Sequence, residues 1–165
     1  MRDGAATTTS GFSGHGVVLD GANDYVSSTD SFSNVQEFTL SARFKTATSS
    51  GKKILGFEDL KTGSSSSYDK HLWVGTDGKL HCGWYDATDK IISSVSSVAD
   101  NAWHQATCTH TSTGGGSGTL YIDGVAEATG TSTAWTGTGY YRVGGYKLDT
   151  WNTIQRPEDF IRTMF

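Results

Sequence analysis

The sequence predicts an all-β protein, a sandwich of two antiparallel sheets. Three observations carry that expectation. There are 21 glycines, one proline and seven tyrosines among many serines and threonines, which suits short strands joined by tight turns. Strand-like runs separated by turn residues recur along the chain, at 16–19, 25–28, 38–46, 53–57, 71–74, 79–85, 91–98, 103–110, 119–122 and 140–146. In the segment from Phe38 to Phe44, positions 38, 40, 42 and 44 are apolar and those between are polar, the period of two of a strand with one buried face.

The 165 residues suffice for one domain with a continuous core, and a single domain over 1–165 is expected. Only 35% of residues are hydrophobic and 18% charged, but the apolar ones cluster in runs, so the chain should fold. A net charge of -4 with scattered Lys and Arg leaves no basic stripe for phosphates, and nucleic acid is not an expected partner. No window approaches the roughly twenty apolar residues of a membrane span, and the first residues lack an apolar signal core. Membrane insertion is therefore not expected, and any export signal is expected to be removed or foreign to the chain. The one candidate helix, 157–165, is short and terminal. Ser64 to Ser67 and Gly114 to Gly116 read as loop tips.

The run from His71 to Tyr85 is a hairpin with Asp77-Gly78 as its turn signal. A two-residue turn would set Val74 beside His81. A three-residue loop with Gly78 left-handed would set Val74 beside Leu80 and Leu72 beside Cys82, and this register is preferred. It gathers Leu72, Val74, Leu80, Cys82 and Trp84 on a buried face and leaves His71, Trp73, His81 and Tyr85 together on the other. Those four are the candidate ligand-binding group, because exposed aromatic faces beside polar groups are what a sugar subsite requires. The alternative is that they merely cover the sheet or meet a neighbouring domain. The expected core is Leu40, Phe44, Leu72, Leu80, Trp84, Trp103, Leu120 and Ile122.

The pieces Val18 to Val26, Phe38 to Phe44, Lys79 to Trp84, Trp103 to Cys108 and Leu120 to Val125 stand in an order that resembles the laminin G-like, concanavalin A-like lectin/glucanase superfamily over roughly 16–146. The resemblance implies a jelly-roll sandwich of an extracellular or cell-surface protein that binds a glycan or another surface protein. It also implies a last strand beyond the stretch that Ile161 to Phe165 begins. On that reading the strand is absent after Phe165, and a complementing strand peptide from another chain could complete the sheet by β-augmentation.

For a structural Ca²⁺, which the resemblance implies because proteins of that superfamily often carry one, the candidates are Asp20, Asn23 and Asp24, hard oxygen donors on a tight Gly21 turn. Backbone carbonyls and water would have to complete the shell. The other reading is a turn whose side chains bond their own backbone. Catalysis is not expected. No two carboxylates share a strand face as glycosidases require: Glu58 and Asp59 are adjacent, and Asp86, Asp89, Glu158 and Asp159 fall in loops or at the end. His104 and His110 have no nucleophile at a recognisable spacing. The only cysteines, Cys82 and Cys108, lack zinc spacing. If they lie on opposite sheets about 10 Å apart they should remain small buried thiols.

Overall fold

The computed structural model describes residues 4–19, 23–47, 49 and 52–145. Their strands are β1 Ala6–Gly11, β2 Gly14–Val18, β3 Tyr25–Ser27, β4 Phe32–Ser33, β5 Phe38–Lys45, β6 Lys52–Glu58, β7 Tyr68–Val74, β8 Lys79–Asp86, β9 Thr88–Ser97, β10 Trp103–Thr111, β11 Ser117–Ile122, β12 Val125–Gly130 and β13 Thr138–Gly144, with one 3-10 turn at Thr113–Gly115. Every pairing is antiparallel. One sheet runs β12-β11-β10-β5. The other runs β3-β13-β6-β7-β8-β9, with β4 pairing β13 to make seven strands, and β1 and β2 form a separate hairpin. Among the described residues no helix is long and apolar enough to cross a membrane.

The core lies between the two large sheets, as alternation dictates. From the four-stranded sheet come Leu40, Phe44, Ala106, Leu120 and Ile122; from the seven-stranded sheet come Ile54, Leu72, Val74, Leu80, Trp84 and Ile92. Every residue expected in the core is there except Trp103, which points outward. Its neighbours Ala106, Cys108 and His110 fix the inward parity of β10, and an odd-numbered position cannot share it. The Trp84 indole reaches across to β11 and β12, where the paired Gly118 and Gly130 leave it room, and its Nε1 donates to the Ser132 carbonyl at 3.1 Å. The β7–β8 hairpin takes the three-residue register, with Leu72 opposite Cys82, Val74 opposite Leu80, and Gly78 at φ 74°.

Cys82 on β8 and Cys108 on β10 do face each other from opposite sheets, but they are bridged, with Cα atoms 6.2 Å apart. The expectation of free thiols fails because 10 Å is a mean spacing set by large side chains. Where two small residues oppose each other the backbones come within disulfide range. β1, β4 and β12 were not anticipated, and the alternating apolar residues of Val125–Gly130 are only the small Ala126 and Ala128. The candidate terminal helix and the expected missing strand fall after residue 145, outside the described residues.

Candidate functional site

The outer face of the four-stranded sheet is open to solvent and polar. Register places Thr129, Thr119, Thr109 and Thr39 side by side across all four strands, and beside them Ser41 and Thr107 hydrogen-bond through their hydroxyls at 2.9 Å. At one end of this face the residues change character. Arg43 of β5 lies opposite Gln105 of β10, and Trp103 lies opposite Lys45. The tip of the β1–β2 hairpin brings Phe12 over them, 51% exposed. Phe12, Arg43, Trp103, His104, Gln105 and Asp123 line a cleft of about 210 Å³. That is below the roughly 300–1,000 Å³ of pockets for drug-sized molecules and suits one polar ring.

Turn chemistry positions the acids and the histidine. Asp123-Gly124 is a two-residue hairpin turn between the paired Ile122 and Val125, with φ 51° and 85°, the primed conformation that Asp-Gly favours. The turn aims the Asp123 carboxylate back at β10, where Oδ1 accepts the Gln105 N–H at 2.7 Å and Oδ2 lies 2.8 Å from His104 Nδ1. His104 Nε2 lies 3.1 Å from Asp100 Oδ1, which also accepts the Ala102 N–H at 2.8 Å. Burial disfavours the charged His104 ring, but the bonds to Asp123 and Asp100 outweigh it and raise its pKa above 6.5. Phe12 meets Trp103 edge to face at 5.7 Å, and the Arg43 guanidinium sits 3.9 Å above the Phe12 ring centre. The cleft thus joins two aromatic rings, a guanidinium, an amide and a carboxylate.

The residues expected to bind ligand stand elsewhere. His71 and Trp73 are 0% exposed and His81 2%, so the expected wet face of the β7–β8 hairpin is interior except at Tyr85, 39% exposed. Trp73 packs against Tyr68 and Ile91 and stacks on His81 at 5.2 Å. The His81 ring is held by Ser93 at 2.8 Å and Asp77 at 3.0 Å. His71 lies where a Cβ on Gly56 would stand, and its pKa falls well below 6.5 through burial first and then the charges of Lys53 and Lys70. The same face buries an ionic cluster in which Glu58 pairs with Lys53 and, at 2.8 Å, with Arg142. Arg142 also donates to the Leu60 carbonyl and, at 2.8 Å, to that of Gly63. The expectation failed because alternation says which side chains share a face, not whether that face meets water.

Of the calcium candidates, Asp20 lies outside the described residues, Asn23 is half-buried and Asp24 is 2% exposed. Among the described residues no group of three or more His, Cys, Asp and Glu side chains is arranged to hold a metal ion. The described donors fall well short of the six to eight oxygens calcium takes.

A laminin G family model, described as the concanavalin A-like lectin/glucanases superfamily, matches residues 20–153. The chain belongs to this family. No curated protein has a matching sequence. Among solved structures, the concanavalin A-like domain is similar to an endo-β-1,4-glucuronan lyase from the fungus Trichoderma reesei, with TM-score 0.66 and 13% identity over 86% of this chain and 74% of that one. It is similar to the CBM40 of the Ruminococcus gnavus IT-sialidase bound to α2,3 sialyllactose, with TM-score 0.60 and 13% identity over 90% and 86%. It is also similar to domains LG4-5 of the mouse laminin α1 chain, with TM-score 0.63 and 14% identity over 99% and 42%. At such identities the likeness is one of fold.

Within this concanavalin A-like domain the cleft residues escaped the sequence reading, although signals for them existed. Arg43 is the charged member of an alternating strand, and Asp123-Gly124 is a hairpin turn signal. Phe12 had none, since only the hairpin Gly11–Gly14 carries it to the face of a sheet remote in sequence.

Proposed function

We propose that this concanavalin A-like domain is a non-catalytic, extracellular carbohydrate-binding module, and that its glycan docks in the cleft between Phe12, Trp103 and Arg43. The observation that carries the reading is the cleft's composition: the exposed Phe12 and half-buried Trp103 rings for sugar C–H groups, beside the exposed Arg43, Gln105 and Asp123 for hydroxyls. The hydroxyl-rich ranks of the same sheet face extend away from it and offer further hydrogen bonds to a chain longer than one sugar. A buried Cys82–Cys108 disulfide fits an oxidising compartment and supports an extracellular setting. The sialyllactose-bound CBM40 gives the reading a precedent on a similar fold. Asp123 and Asp100 are both engaged by His104 and by backbone N–H groups, an arrangement that supports binding rather than acid–base chemistry.

A glycan array followed by titration of the hits tests this. Phe12→Ala should lower affinity about tenfold or more while moving the melting temperature by no more than a few degrees, because an exposed ring contributes little to packing. An array with no hits would sink the reading and favour a protein-interaction role. Melting curves in chelator and in millimolar Ca²⁺ decide the ion at Asp20, Asn23 and Asp24: a clear rise assigns it to the fold, identical curves remove it.

A further inference from the structure

Arg43 is the cleft's uncommitted cation. Among the described residues no carboxylate pairs with it within ion-pair distance, and its one side-chain hydrogen bond is a long one, from Nη2 to Gln105 Oε1 at 3.4 Å. The acids nearby are taken. Asp123 commits Oδ1 to the Gln105 N–H and Oδ2 to His104, and Asp100 is committed to His104 and the Ala102 N–H. Against its own burial, Asp123 is held below its usual range by the Gln105 N–H and His104 and least by Arg43's charge, and it forms no ion pair with Arg43.

The guanidinium also rests on an aromatic ring. Its carbon lies 3.9 Å above the Phe12 ring centre, a cation–π contact, while the same Phe12 meets Trp103 edge to face. Its N–H groups form a planar fork that matches two coplanar oxygens better than any single hydroxyl. Trp103 stands beside it with a surface for the body of a sugar.

Building on the glycan-binding reading, we infer that the ligand is an acidic sugar whose carboxylate is gripped by the Arg43 fork while its ring rests against Trp103. Uronic acids and sialic acids share that chemistry, and the experiment separates them.

The intact chain is titrated with a uronic-acid oligosaccharide and with sialyllactose, each beside its carboxyl-reduced form. Whichever acid binds, reducing its carboxyl should cost about tenfold or more in affinity. Arg43→Ala should cost the acidic ligand as much and add nothing to the loss for the reduced one. Arg43→Lys should recover only part, since an ammonium keeps the charge without the fork. Arg43 is exposed, so these variants should melt within a few degrees of the parent. Reduced and acidic ligands binding alike, or Arg43→Ala weakening both equally, would overturn the carboxylate and leave the glycan reading standing. If only neutral glycans bind, the carboxylate falls in the same way. If no glycan binds at all, both readings fall together.

Discussion

His104 bridges two carboxylates from different loops, and its protonation is therefore coupled to the local fold. Its folded pKa is raised above 6.5, so its contribution to stability is complete below the unfolded value and is lost as pH rises through the folded one. Asp100, lowered chiefly by the Ala102 N–H, and Asp123, lowered by Gln105 and His104 against its own burial, contribute in the opposite sense and lose their stabilisation as pH falls. Melting temperature against pH should decline on the alkaline side of 6.5, and His104→Gln should flatten that decline; an unchanged slope in the variant would assign it to another group. Trp84→Ala should cost about 3 to 5 kcal/mol in chemical denaturation, and Trp73→Ala a comparable amount, because both rings are 0% exposed. At this scale the sequence was half legible. Trp84 followed from parity within its own hairpin, whereas Trp73 and Trp103 exchange expected roles. One lies under cover that local pattern does not record, and the other stands on the outward side of its strand.

The β7–β8 hairpin shows how a turn sets a register. Gly75 N–H donates to the Lys79 carbonyl at 2.9 Å and Gly78 N–H to the Gly75 carbonyl at 3.0 Å, closing a loop whose last residue must be left-handed. Gly78→Ala should destabilise by about 1 to 2 kcal/mol. It places a side chain at positive φ, and the added Cβ would also stand 2.7 Å from Ser97 Oγ. A loss near zero would mean the loop relaxes to another turn type. Such elements were readable because Asp-Gly and alternating apolar residues are local signals. Strands β1 and β12 were not, since Ala-Thr-Thr-Thr-Ser-Gly and Val-Ala-Glu-Ala-Thr-Gly offer the core at most the small Ala128 and depend on pairing with a neighbour.

Across the whole molecule, the two-sheet architecture was fully legible, because strand spacing, composition and alternation all point to it. The covalent link between the sheets was not, because a mean inter-sheet distance conceals where two small residues meet. Cys82 and Cys108 are 26 residues apart, and the loop-entropy relation gives about 3.5 kcal/mol for such a closure. Reduction, or Cys82→Ala with Cys108→Ala, should lower the unfolding free energy measured by chemical denaturation by about that much; no change would mean that packing alone fixes the sheets. The bridge has another consequence. It closes the chain into a ring that contains all of β9 and the turn at 99–102, where Asp100, Asn101 and Ala102 are exposed. A protease that cuts that turn opens the ring without parting the molecule. The nicked protein should migrate as one species on a non-reducing gel and as two on a reducing one, and the cut itself should leave β8 and β10 anchored to each other on either side of the core.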